Sequence, residues 1–223
     1  MPVHRKVNRS FFKKWSPEMA YALGFFAADG TMIVNNRGAH FIEFHSTDKE
    51  LIVMIRNLLE SNHKISIKNP KGEGHKVAYR IQIGSKEIFG DLLILGFMPN
   101  KSLILDFPMV PKRFQRDFVR GYFDGDGSVY FKKHKSKDRN NKRWIFTSRF
   151  TSGNKKFLES LHAKLALKGG FITKKTRGYE LVFSHRDSVA LYHLMYHNEC
   201  RGLYLNRKNK LFRKALRTLY GIK

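Results

Sequence analysis

The sequence predicts an α+β fold built from two pseudo-symmetric halves, each a four-stranded antiparallel sheet with helices on one face. Three observations carry this reading. Asp29-Gly30 and Asp126-Gly127 each close an apolar, glycine-containing helical run, and the two turns lie 97 residues apart. After each turn the same order of strand-like and helix-like segments follows. With 223 residues, 42% of them hydrophobic and 13% aromatic, the chain can fill a core of one large domain or two small ones.

Taken in order, Ser16-Pro17-Glu18 reads as a helix start, serine at the N-cap and proline at the first helical position, and the helix runs to about Asp29. Two strand-like runs follow, Thr31 to Asn35 and His40 to His45. Thr47-Asp48-Lys49-Glu50 matches a capping box ahead of Leu51, Ile52, Ile55, Leu58 and Leu59, which are spaced for an amphipathic helix. Tyr79 to Ile83 reads as a further strand, leading to a helix at Ser85. The first half therefore spans 1–98. Residues 99–110 are rich in proline and read as a linker.

The second half, 111–223, repeats the pattern. Pro111 opens the matching helix, Ser128 to Lys132 and Trp144 to Thr151 are the strand pair, and the next helix starts near Gly153-Asn154. Tyr179 to Phe183 superimposes on Tyr79 to Ile83 and leads to a helix at Ser184. Both halves read αββαββα, and Leu205 to Tyr220 adds a basic C-terminal helix. Strand alternation sends Ile42, Phe44, Phe146, Ser148 and Phe150 to the helices. Phe41, Glu43, His45, Thr147, Arg149 and Thr151 are then left on open sheet faces.

Charge narrows the partner. There are 43 Lys and Arg against 18 Asp and Glu, a formal net charge of +25. A field of that size attracts polyanions, because each neutralised phosphate releases condensed counterions. Nucleic acid is the expected partner. The longest uncharged apolar run, Ala20 to Ala28, is under half the roughly 20 residues that span a bilayer, so no membrane role is expected. No apolar signal core follows Met1, and the single cysteine, Cys200, can form no internal disulfide. A reducing intracellular compartment is expected, cytoplasmic in a microbial host, with an organelle as the other option.

The two helix ends look locally wrong, and that marks them as a site. An aspartate in a last helical turn faces the negative end of the macrodipole, at a cost of a few tenths to about 1 kcal/mol, so something cationic should compensate it. Gly24 and Ala28 share one helical face, as do Gly121 and Gly125, and residues this small let two backbones approach closely. If the helices pack, Asp29 and Asp126 emerge side by side. Two clustered carboxylates in a basic protein suit a divalent metal, magnesium with oxygen ligands fitting best. A calcium loop over Asp124 to Lys135 is rejected, because Val129 stands where glycine is needed and Lys135 where glutamate is.

At these residues the chain resembles the LAGLIDADG homing endonucleases, in the single-chain form with two motif copies. Ala22 to Gly30 and Val119 to Gly127 both keep the helix glycine, the terminal aspartate and the following glycine; the first copy has Ala27 where the second has Asp124. The resemblance implies a DNA-binding saddle made by the two sheets. It implies Asp29 and Asp126 as catalytic metal ligands, with the Ala28 and Gly125 carbonyls beside them. Lys101 and Lys208 are the implied catalytic lysines. Base-reading roles are implied for Ile33, Asn35, Arg37, Glu43, His45, Arg80 and Gln82 in the first half. The second-half set is Tyr130, Lys132, His134, Thr147, Arg149, Glu180 and Val182.

The resemblance further implies a monomer, needing no protein partner, that cuts both strands of a long asymmetric duplex and leaves staggered ends. Mg2+ is the implied cofactor, Mn2+ a substitute, and Ca2+ an ion that permits binding without cleavage. The alternative is an RNA-binding intron maturase, or a non-cleaving DNA-binding regulator, on the same scaffold. Met1 at the start and Gly221-Ile222-Lys223 at the end favour a freestanding nuclease over an intein.

Overall fold

A computed structural model describes residues 5–69, 76–100, 104–135, 142–196 and 200–222. The first half runs α1 (Pro17–Asp29), β1 (Gly30–Val34), β2 (His40–Ser46), α2 (Lys49–Leu58), β3 (Ile65–Lys68), β4 (Ala78–Gly84) and α3 (Lys86–Ile94). A short 3-10 turn, Lys112–Phe114, opens the second half. It continues through α4 (Gln115–Asp126), β5 (Gly127–Lys135), β6 (Lys142–Ser152), α5 (Lys155–Leu165), β7 (Phe171–Lys175), β8 (Gly178–Ser184), α6 (Arg186–Met195) and α7 (Asn206–Tyr220). The sheets are ordered β1-β2-β4-β3 and β5-β6-β8-β7, every pairing antiparallel. Both halves are thus αββαββα, as the repeat predicts.

Side chains cap the N-termini of α1, α3 and α5. Ser16 Oγ accepts from Met19 N at 3.1 Å, Ser85 Oγ from Ile88 N at 3.2 Å, and Asn154 Oδ1 from Lys156 N at 3.0 Å. Three helix starts depart from expectation. The capping box at Thr47 does not form: the N-cap is Asp48, without a side-chain cap bond. Its carboxylate instead takes a two-point ion pair from Arg207 on α7, at 2.6 and 2.7 Å, and a charge-assisted fork outcompetes a neutral amide. Helix α6 is capped by His185, not Ser184, which still belongs to β8. Pro111 is extended (φ −56°, ψ 138°) and precedes the 3-10 turn, so α4 starts four residues later than expected.

The core repeats with the chain. Phe44 of β2 stacks on Phe25 (6.0 Å) and meets Phe26 edge-on (5.1 Å); in the second half Phe150 of β6 does the same with Tyr122 (6.3 Å) and Phe123 (5.1 Å). The glycines after the two aspartates belong to this packing. Gly30 (φ −91°) and Gly127 (φ −93°) are extended strand starts, not tight turns. A side chain on either would run into the ring of Phe26 or Phe123, so glycine is required for space.

Inside the second half Arg120 of α4, 1% exposed, replaces the first half's Leu23. It donates to Leu203 O (2.6 Å), Met195 O (2.8 Å) and Asp117 Oδ1 (2.6 Å), tying α4 to the chain between α6 and α7. That satisfies the buried cation. Among the described residues no helix is long and apolar enough to cross a membrane.

Candidate active site

Helices α1 and α4 lie against each other along the small-residue faces. A methyl on Gly24 would sit 2.8 Å from the Phe118 carbonyl carbon and 2.9 Å from Tyr122 N. One on Gly121 would sit 2.9 Å from the Tyr21 carbonyl carbon and 3.0 Å from Phe25 N. The contacts are reciprocal: each glycine meets the backbone three residues before the other, the signature of a local two-fold axis. Farther along, Gly125 faces the Ala28 methyl.

This crossing brings the acidic ends together. Asp29 Oδ2 lies 3.1 Å from the point where a Gly125 Cβ would stand, next to Asp126 in the chain. Asp29 is a quarter exposed, and Asp126 is half-buried. Within reach of both charges is Tyr122, buried, whose hydroxyl donates to Thr151 O at 2.7 Å. Burial, and then the fields of Asp126 and Asp29, push its phenol well above the ordinary tyrosine range, so it stays protonated. His45 Nε2 stands 4.0 Å from Asp29 Oδ1; at the equivalent register the second half has Thr151.

The cation called for by the macrodipole is Lys208. Its buried ammonium donates to the carbonyls of Phe123 (2.6 Å), Asp124 (2.8 Å) and Gly125 (3.4 Å), closing the C-terminal end of α4. Burial lowers its pKa to about 8. Asp124 is buried beside it, accepting from Tyr21 OH (2.7 Å) and Leu205 N (2.8 Å), and desolvation raises its carboxyl to about 6. Asp124 therefore fastens α4 to α1 and α7. Tyr21, Tyr122 and Arg120 carry roles that periodicity does not reveal; a tyrosine inside a small-residue helix was the only available signal. Lys101 lies outside the described residues.

Registers place the other candidates. Thr31, Ile33, Glu43, His45, Arg80 and Gln82 share the open face of the first sheet, since Thr31 and Gln82 oppose Glu43 and Arg80 opposes His45. Glu43 is on that face yet only 6% exposed, because Arg80 (3.3 Å), Lys68 (3.6 Å) and Gln82 (3.4 Å) close over it. Asn35 spends its side-chain carbonyl on the β1–β2 turn, accepting from Arg37 N and Ala39 N, and Arg37 is exposed at the tip. Tyr130, Lys132, His134, Thr147, Arg149, Glu180 and Val182 share the open face of the second sheet. Tyr130 and His134 hydrogen-bond each other, and Val182 is covered by its neighbours.

Fold and site together define a two-motif α+β protein with paired acidic helix ends beneath two open, basic sheet faces. The family model of the LAGLIDADG-like domain matches residues 16–93 and 113–201, and the chain belongs to that family. Its fold is similar to that of the homing endonuclease I-WcaI bound to its DNA recognition sequence, with a TM-score of 0.62 and 16% identity over 92% of this chain and 91% of that one. I-LtrWI, a LAGLIDADG homing endonuclease bound to target DNA, gives 0.60 at 13% identity, covering 96% and 92%. I-SmaMI bound to uncleaved DNA target in the presence of calcium ions gives 0.56 at 16%, covering 93% and 98%. A curated relative, the DNA-directed RNA polymerase subunit Rpo1C of Methanocaldococcus jannaschii, is 25% identical over 199 residues, 88% of this chain. The chain spans only 21% of that protein's length.

Proposed function

We propose that this protein is a site-specific, metal-dependent DNA endonuclease that hydrolyses a phosphodiester bond in each strand of a long asymmetric duplex, acting as a monomer. The observation that carries the reading is the meeting of Asp29 and Asp126 at the local two-fold axis, one carboxylate for each strand. The net charge of +25 supplies attraction to phosphates, and the two open faces carry different side chains, which suits a target with unlike halves.

The donor set fits magnesium. Among the described residues no three His, Cys, Asp or Glu side chains form a protein-only cage; Mg2+ needs fewer, since it commonly keeps several waters and takes one or two carboxylates together with phosphate oxygens. Asp29 and Asp126 would hold the ions, with the Ala28 and Gly125 carbonyls beside them. When bound, such ions supply a hydroxide nucleophile near neutral pH, polarisation of the scissile phosphate and stabilisation of the leaving 3′ oxygen. Mn2+ would substitute, and Ca2+ would support binding without cleavage.

The chain's own residues do the positioning. Gly24 and Gly121 fix the separation of the carboxylates, and Tyr122, kept neutral near them, donates to Thr151 O. Lys208, with its ammonium committed to the end of α4, positions Asp126 through the helix. Asp124 locks the same helix from the other side.

Cleavage selection on a randomised duplex library tests this directly. In Mg2+ one long asymmetric site should be enriched and cut in both strands, and the same duplex should stay intact in Ca2+ or EDTA. Enrichment of no site, or cutting in EDTA, would overturn the proposal.

A further inference from the structure

The open faces carry the same three-residue charge cluster twice, with two of its members exchanged. Gly30 pairs with Phe44 and Gly127 with Phe150, so Glu43 and Arg149 are equivalent. His45 opposes Arg80 and Thr151 opposes Glu180, so Arg80 and Glu180 are equivalent. Lys68 opposes Ala78 and Lys175 opposes Gly178, two residues beyond those partners in each case, so the lysines match. In the first half Glu43 meets Arg80 at 3.3 Å and Lys68 at 3.6 Å; in the second Glu180 meets Arg149 at 3.6 Å and Lys175 at 3.4 Å. Lysine keeps its place while glutamate and arginine trade strands.

The exchange is not needed for folding, because either order makes the same diagonal pair. What it changes is the direction in which a donor–acceptor pair lies across the face. The guanidinium is the open member of each pair, Arg80 and Arg149 being 31% and 36% exposed at their side chains against 8% and 18% for Glu43 and Glu180. In the major groove guanine O6 and N7 accept from arginine, so the strand that carries the arginine sets which side of a G·C pair is read as guanine, while the glutamate holds the guanidinium in place.

The geometry points to these two clusters as orientation readers, each selecting one G·C pair, with opposite polarity in the two halves. This rests on the DNA-endonuclease reading above and adds to it a rule for the target. In a palindromic duplex, equivalent positions carry guanine on opposite strands. Reversing the reader in one half alone puts both guanines, at equal distances from the centre, on the same strand.

The test repeats the selection on the randomised duplex library with two charge-exchanged variants, Glu43→Arg with Arg80→Glu, and Arg149→Glu with Glu180→Arg. Each keeps its ion pair, and either one alone suffices as a test. The wild-type protein should enrich two symmetric G·C positions with guanines on one strand. Each variant should move the guanine of its own half to the other strand, with about tenfold or greater discrimination against the original pair, and leave the other half unchanged. An enriched site that is indifferent at these positions, or whose guanines ignore the exchange, overturns the inference while the nuclease reading stands. If the wild-type protein enriches nothing, both fall.

Discussion

Asp29→Asn and Asp126→Asn should each lower double-strand cleavage of the selected duplex by about a thousandfold or more, since metal-ion catalysis contributes several kcal/mol and each 1.36 kcal/mol is a factor of ten. Asparagine preserves size and one carbonyl oxygen but removes the charge that retains a divalent ion. Binding of the duplex should change by less than about threefold, because the carboxylates serve the ions while the lysines and arginines of the sheets meet the phosphates. Cleavage rates and binding isotherms measured on the same duplex separate the two. Full cleavage by either variant would contradict the assignment.

Gly24→Ala and Gly121→Ala should be destabilising, against the usual trend. In an exposed helix interior, replacing glycine by alanine is favourable by roughly 0.5–1 kcal/mol. Here the new methyl would run into a carbonyl oxygen of the facing helix, Phe118 O for Gly24 and Tyr21 O for Gly121, and stand 2.8–3.0 Å from further backbone atoms, where there is no flexible side chain to yield. Overpacking of this kind costs about 1–3 kcal/mol, or a fall in Tm of roughly 2–4 °C for each kcal/mol at this chain length. Cleavage should drop further than stability, by about a hundredfold, since a shift near 1 Å in a catalytic group has that effect. Gly90 of α3 is the control: nothing lies within 4 Å of its would-be Cβ, so Gly90→Ala should leave cleavage intact and raise Tm slightly. Thermal melts and cleavage rates of the three variants decide it.

Much of the architecture is legible because the same signals occur twice. Small residues four apart, aspartate against the macrodipole, and alternating strands each recur 97 residues on, so a weak pattern becomes a strong one. Element ends are less legible, because distant partners decide them. Asp48 abandons a local cap for Arg207, 159 residues away, and no local pattern can anticipate that. Asp124 and Lys208 show the same limit: each looks like surface chemistry in the sequence, yet Asp124 is buried against Tyr21 and Leu205 and Lys208 against the end of α4. The exchanged ion pairs on the open faces appear only in the strand registers, since Glu43 and Arg149 occupy unlike local contexts.

In the proposed mechanism the two acidic helix ends jointly hold the divalent ions. Manganese binding to the complex with the selected duplex, followed by electron paramagnetic resonance, measures this most directly. The wild-type complex should bind manganese, whereas the double variant Asp29→Asn with Asp126→Asn should hold the duplex yet bind manganese at least about tenfold more weakly. Manganese retained with unchanged affinity in the double variant would place the ions elsewhere and contradict the account.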